Sequence, residues 1–374
     1  MKIHIWEAYN PKKISVDVKK EIRDKIKNKI SLDIYSFAKK IDITPARLYD
    51  YFIYQTTPIP LSVLISLSKL LKISLIQIEQ NILMYKQMFV PNKNSIKNPK
   101  LPIEITPYFT SIVSNLFFDG SVPINGKGTY YSQKNELIMN DFVGKIKEVF
   151  GNVQYSVVRD HRGVLKCRVP RIVGEICKYV YDIKSFGTFD SRISKKIYNL
   201  SKEHKIAFIL TAILDEGSIS YDGQIFFGVN NKLLCEDIKE LFSQVEVKTT
   251  NVNQKSNSNH YYIYIKSPTK LLRLIEMSNK KYPLISLRYK EEKLKYYFEI
   301  KKHPGLRNKQ GGDERKRRIL ISLKNGKRNV NQLSKELLIF PRSIRRHLSV
   351  LLKSGEIDKE KLHNEHYFSL TSPH

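Results

Sequence analysis

Ile112-Val113-Ser114-Asn115-Leu116-Phe117-Phe118-Asp119-Gly120-Ser121-Val122 and Ile209-Leu210-Thr211-Ala212-Ile213-Leu214-Asp215-Glu216-Gly217-Ser218-Ile219 are two versions of one phrase. Each is an apolar run that reads as a helix and closes on an acid, a glycine, a serine and an aliphatic residue. Further along, Ile146-Lys147-Glu148-Val149-Phe150 returns as Ile238-Lys239-Glu240-Leu241-Phe242, and Arg168-Val169-Pro170 returns as Lys266-Ser267-Pro268. The landmarks keep their order at separations of 92 to 98 residues, so the two copies differ by loop-sized amounts and the central block is a duplication. Each copy reads helix, two strands, helix, two strands, helix. In the second, Asp222-Gly223 between alternating segments predicts a two-residue hairpin.

Strand alternation gives each copy two different faces. In His260-Tyr261-Tyr262-Ile263-Tyr264-Ile265-Lys266, Tyr261, Ile263 and Ile265 fall on one side and Tyr262, Tyr264 and Lys266 on the other. The matching strand of the first copy turns Leu165, Cys167 and Val169 inward and Lys166 and Arg168 outward. Two related sheets with basic, aromatic outer faces make a long concave surface suited to a duplex.

Composition agrees with that partner. Lys and Arg number 65 against 36 Asp and Glu, a formal charge of +29 that attracts polyanions, with nucleic acid the first choice. The apolar run from Ile206 to Leu214, broken by Thr211, is far too short to span a bilayer, and the opening Met1-Lys2-Ile3-His4 begins no signal-peptide core. The chain reads as cytoplasmic and DNA-associated, with no membrane partner. Cys167, Cys177 and Cys235 form no CxxC pair, which argues against a disulfide framework and a zinc site.

A length of 374 residues predicts two or three domains. Polar stretches at Pro91 to Lys100 and His303 to Gly312 read as linkers. The expected division is an N-terminal extension over residues 1–30, a helix-turn-helix domain over 31–90, repeat 1 over 101–186, repeat 2 over 187–302 and a C-terminal domain over 313–374.

From about Leu101 to Lys302 the chain resembles the single-chain, two-motif LAGLIDADG homing endonucleases. The paired helix endings carry the resemblance, supported by Tyr131-Ser132-Gln133-Lys134-Asn135-Glu136-Leu137 and by Leu200-Ser201-Lys202-Glu203-His204-Lys205 before the second motif helix. It implies an α+β fold: a monomeric, pseudo-twofold saddle of two αββαββα repeats with the motif helices packed along the axis. Asp119 and Glu216 would lie over the scissile phosphates and hold Mg²⁺ or another divalent metal, while Arg168 and Lys266 fit the family's active-site basic residues. Lys166, Arg168, Tyr262, Tyr264 and Lys266 would face DNA. Elementary electrostatics points the same way, because a carboxylate at a helix C-terminus opposes the macrodipole by about 0.3–1 kcal/mol, a conflict that a hard cation removes. Gly120 and Gly217 are expected as left-handed helix caps. Where the family carries a small residue just before each acid, this chain has Phe118 and Asp215, whose bulk predicts separated carboxylates.

Both ends resemble helix-turn-helix modules. Ser31 to Ser74 is similar to the Cro and phage-repressor type: Phe37, Ala38, Ile41, Ile43 and Leu48 fill its packing positions, Asp42 stands at the tight turn, and a second helix starts at Thr44-Pro45. Ala46, Arg47, Tyr49 and Asp50 would point to the major groove. Asp313 to Thr371 resembles a winged helix-turn-helix. Its third helix sets Ile344, Leu348, Leu351 and Leu352 on one stripe and Arg342, Arg345, Arg346 and Ser349 on the other, with a wing over Lys359 to Leu370.

Two functions follow. One is a metal-dependent, site-specific DNA endonuclease, favoured because a pure binder gains nothing from two acids facing phosphates. The other is a transcriptional regulator that keeps the fold as a DNA-reading saddle, favoured by the flanking modules and by Phe118 and Asp215.

Overall fold

Thr106 and Ser201 stand at the N-caps of the two motif helices, Pro107–Phe118 and Lys202–Glu216, and the Thr106 hydroxyl accepts the Phe109 N–H. These helices lie side by side in the computed structural model, which describes residues 1–88, 94–123, 128–302, 311–362 and 365–371. Small polar residues let the backbones approach. Ser111 and Thr211 hydroxyls meet at 2.6 Å, the Ser114 hydroxyl donates to the Phe208 carbonyl at 2.8 Å, and Asn115 Nδ2 donates to Asp215 Oδ2 at 2.9 Å. The expected contact between the motif helices is therefore present. Phe118 does not separate them: its ring packs against Phe208 of the second motif helix and against Phe227 of the second sheet, with centroids 6.2 and 5.6 Å away.

Each helix leads into a four-stranded antiparallel sheet, and the two sheets share one topology. In the first the order is Gly120–Ser121, Thr129–Gln133, Leu165–Val169, Ser156–Arg159; in the second it is Gly217–Ile219, Ile225–Val229, Tyr261–Tyr264, Asn253–Gln254. Helices Glu136–Phe150 and Arg171–Tyr181 complete the first αββαββα unit, and Lys232–Gln244 and Pro268–Lys281 complete the second. Leu165, Cys167, Val169, Ile263 and Ile265 are buried while Lys166, Tyr264 and Lys266 are exposed, as the alternation requires. The hairpin at Asp222-Gly223 is looser than expected. Ser220 and Gln224 pair across a three-residue loop, and Gly223 takes the left-handed conformation at φ 79°.

The N-terminal region departs from the expected division. Ile14–Val18, inside the supposed extension, is an inner strand of a five-stranded sheet ordered Ile59–Pro60, Ile14–Val18, Ile82–Gln87, Ser95–Pro99, Gly151–Val153. Part of the supposed linker at Pro91 to Lys100 is thus a strand, and its partner Gly151–Val153 belongs to the first repeat. Tyr85, Ile96 and Val153 form a buried cross-strand row that makes one core of both regions. Lys2–Ile3 also pairs with Ile103–Glu104. On this base stand helices Lys20–Ile30, Ile34–Lys40, Pro45–Leu48 and Leu61–Leu71. Asp42 sits at φ 56°, the left-handed turn anticipated for it, and Thr44 and Pro45 open the next helix.

The C-terminal region has its own core of Ile319, Leu323, Leu333, Ile344, Leu348 and Leu351. Helices Gly312–Lys324, Val330–Leu337 and Pro341–Lys353 are joined by a sheet ordered Arg328–Asn329, Glu365–Leu370, Ile357–Leu362, whose first strand lies between the first two helices. Residues 303–310 of the second expected linker lie outside the described residues. The three cysteines are free and buried. Among the described residues no helix is long and apolar enough to cross a membrane.

Candidate nucleic-acid interface and acidic centre

Asp119 caps the first motif helix and Glu216 is the last residue of the second. The two helices bring these acids to the same end of the pair, close enough that the charge of Asp119 acts on Glu216. Burial, and then the charge of Asp119, pushes Glu216 up to about 7, while burial pushes Asp119 up to about 6. Gln133 Nε2 donates to Asp119 Oδ2 at 3.2 Å.

A third acid stands beside them. Asp215 accepts from Asn115 Nδ2 at 2.9 Å and from the Tyr131 hydroxyl at 2.8 Å, so its carboxyl turns into the helix interface. Burial, followed by the charge of Asp119, raises it well above the carboxylate range. The other face of the Asn115 amide accepts from the buried Lys145 Nζ at 2.6 Å, and Lys145 also donates to Ser111 at 2.8 Å. Asn115 thereby bridges a buried cation to a buried acid. Desolvation lowers Lys145 to about 8 against the opposing pull of Asp215 and Asp141.

Lys290 supplies the nearest positive charge. From the helix Tyr289–Lys302 its ammonium donates to the carbonyls of Ile213 at 3.0 Å and Gly217 at 2.6 Å, and to Leu214 between them. It satisfies the open carbonyls at the end of the second motif helix and opposes the negative end of the dipole there. Its charge favours ionisation of both Asp119 and Glu216, and desolvation brings Lys290 itself down to about 8. Nothing in the sequence singles out Lys290 or Lys145, because each stands among other charged residues on an amphipathic helix.

The two motif glycines act differently from expectation. Gly217 is extended, with φ −84° and ψ 163°, and Gly120 has no positive φ. Their role is close approach: a Cβ on Gly120 would stand 2.4 Å from Leu116 Cα, and one on Gly217 would stand 2.6 Å from the Ile213 carbonyl oxygen. Since the obstacles are backbone, Gly120→Ala or Gly217→Ala should cost about 2–3 kcal/mol and displace the neighbouring acid. Thermal melting would show this, and an unchanged melting temperature would mean that the helix ends yield freely.

A hard divalent cation suits the donor set. Asp119 and Glu216 present partly buried oxygens whose charges repel, and Mg²⁺ commonly takes one or two carboxylates with water and phosphate oxygens completing its shell. Among the described residues no group of three or more His, Cys, Asp or Glu is placed to hold a metal.

The outer sheet faces hold the expected basic and aromatic residues. Lys166 Nζ lies 4.6 Å from the Tyr130 ring centre and the Arg168 guanidinium 5.8 Å from it. In the second sheet Phe226 packs with Tyr262 at 5.3 Å, Tyr264 at 5.7 Å and His260 at 5.9 Å, an aromatic cluster of which strand alternation indicates the two tyrosines. Lys266 is exposed just past the strand, its N–H bonded to the Lys248 carbonyl. In the N-terminal module Ala46 and Arg47 are exposed, whereas Tyr49 and Asp50 are half-buried because the helix loosens into a π-turn over Tyr49–Ile53. Arg342, Arg345 and Arg346 are exposed along one side of Pro341–Lys353, opposite the buried Ile344, Leu348 and Leu351.

Solved structures to which the chain is similar include the homing endonuclease I-DmoI in complex with DNA and Mn, at 14% identity and TM-score 0.34 over 45% of this chain and 94% of that one. Full-length DUF199/WhiA from Thermatoga maritima is similar at 13% identity and TM-score 0.33, over 66% of this chain and 90% of that one. Among curated proteins, none matches the chain. Residues 313–359 match the family model described as bacterial regulatory protein, arsR family, a span that runs from the first C-terminal helix through the Arg342-bearing helix into the strand Ile357–Leu362.

Proposed function

We propose that this protein binds double-stranded DNA at a specific sequence and hydrolyses a phosphodiester there with the help of a divalent metal held by Asp119 and Glu216. The observation that carries the reading is the convergence of these acids at one end of the paired helices, where burial raises both, the charge of Asp119 raises Glu216 further, and the outer sheet faces present Lys166, Arg168, Tyr262, Tyr264 and Lys266. When bound there, a divalent cation supplies Lewis-acid stabilisation and an activated water for phosphodiester hydrolysis. The chain's own part is to hold the carboxylates fixed: Gln133 orients Asp119, and Lys290 ties down the helix end that carries Glu216. Arg168 and Lys266 are assigned to phosphate contact, and Arg47, Tyr49, Arg342, Arg345 and Arg346 to DNA on either side.

The second reading, a transcriptional regulator without cleavage, is favoured by the arsR-type match over residues 313–359. Selection of bound duplexes from a randomised library, with and without Mg²⁺, separates the two. The nuclease reading expects the selected duplex to be cut at one position only when Mg²⁺ is present, and intact DNA under both conditions leaves the regulator. Both readings expect strong salt dependence from the charge of +29: affinity should fall about a thousandfold or more between about 50 and about 200 mM salt. A salt-insensitive binding constant would reject both.

A further inference from the structure

Three consecutive residues at the tip of the second repeat's first hairpin reach toward the C-terminal module, two of them through the helix Tyr289–Lys302. The Tyr221 ring meets Tyr296 edge-on at 5.4 Å, and the Tyr296 hydroxyl donates to Ser334 Oγ at 2.6 Å. Ser334, on the helix Val330–Leu337, passes its own hydrogen to the Ile339 carbonyl at 2.6 Å, in the turn before the Arg342-bearing helix. Gly223 lies so close to Tyr297 that a Cβ would fall 2.4 Å from the ring, and Tyr297 packs on Phe340 at 5.8 Å. Between them, Asp222 Oδ1 accepts the Arg342 backbone N–H at 3.3 Å. Phe340, the N-cap of that helix, offers no side-chain cap, so the acid that meets this helix end comes from the other domain.

We propose that this hairpin tip and the helix behind it form a socket that fixes the arginine-bearing C-terminal helix in register with the core's reading sheet. The two then read one duplex at a single spacing, with Asp222 and Tyr297 as positioning residues. The hairpin is well placed for this. Its second strand, Ile225–Val229, pairs directly with Tyr261–Tyr264, opposing Phe226 to Tyr264, so the tip is continuous with the aromatic reading face. The covalent connection alone would not impose a spacing. Nine residues join Lys302 to Gly312, and a free tether of that length spans about 15–20 Å, or about five base pairs. Tethered binding varies slowly with distance over such a range, whereas a docked module tolerates only the spacing its geometry allows. Register-setting of this kind rests on the DNA-binding reading above.

The test uses the full chain and the duplex selected from the library, with base pairs inserted between the part protected by the core and the part protected by the C-terminal helix. For the parent, inserting two base pairs should weaken binding about tenfold or more. For Asp222→Ala/Tyr297→Ala, and for Phe340→Ala made from the opposite side of the socket, the same insertion should change affinity less than about threefold. Small-angle scattering without DNA should show both variants more extended than the parent. Equal tolerance of the insertion by the parent and the variants overturns the socket, as do identical scattering dimensions. If the parent binds no duplex, the DNA reading fails, and the scattering comparison still decides whether the docking holds.

Discussion

Asp119→Asn and Glu216→Gln are each expected to lower Mg²⁺-dependent cleavage of the selected duplex by orders of magnitude while leaving the fold intact. Each exchange keeps the size of the side chain and removes the charge that would hold the cation. Metal-free binding should persist or tighten, because a negative charge facing phosphates is gone. Equal cleavage by the parent and both variants would show that other residues hold the metal.

The same variants carry a pH signature that needs no DNA. Asp119 and Glu216 have folded-state values raised to about 6 and about 7 from 3.8 and 4.5, so the folded chain holds protons there that the unfolded chain has released. Their contribution to stability is fully present below the unfolded values and is lost as pH rises through about 6 and about 7. The metal-free parent should therefore lose stability between about pH 4 and pH 8, on the order of 3 kcal/mol per group, and the double variant should lose much less. Melting curves over that range, with chelator present, measure it. Parallel pH profiles for parent and double variant would remove these two acids as the source.

The second large effect concerns the buried bridge between the motif helices. Lys145→Met leaves Ser111 and Asn115 without their donor and Asp215 without a nearby buried cation, a loss expected to cost about 3–5 kcal/mol. Asp215→Asn alone should also destabilise, since Lys145 then stays buried with its main opposing charge removed. The pair Lys145→Met/Asp215→Asn should cost less than the sum of the singles, because removing both charges relieves the burial that each imposes on the other. Strictly additive losses in chemical denaturation would mean that Asn115 does not couple them.

The duplicated core was legible because its information is local: an apolar run, an acid and a glycine mark each motif helix, and strict alternation marks Leu165 to Val169 and Tyr261 to Lys266. Asp42 was legible for the same reason, since its turn is set by a few neighbouring residues. The strand Ser95–Pro99 was not, because Ile96 is the one buried apolar side chain in a polar stretch and one of its two partner strands, Gly151–Val153, lies more than fifty residues on. Periodicity cannot report a pairing that backbone groups make at a distance. Lys145 and Lys290 were hidden differently. Each looks like a solvated helix charge until the fold shows what its ammonium reaches. Asp215 was read as bulk between the helices, whereas Asn115 and Tyr131 receive its carboxylate and turn that bulk into a contact.

The five-stranded sheet also constrains how the protein is made. Its first four strands are synthesised before residue 100, yet the fifth, Gly151–Val153, follows the whole helix Glu136–Phe150. At about 5–20 residues per second, the open edge of Ser95–Pro99 waits for several seconds, a template for wrong pairing by other nascent chains. The composition of that edge answers the hazard: Lys97 puts a charge on it and Pro99 removes a backbone donor, both of which discourage intermolecular strand addition until residues 151–153 arrive. The polar sequence that imitates a linker is thus suited to a strand that must stand alone during synthesis.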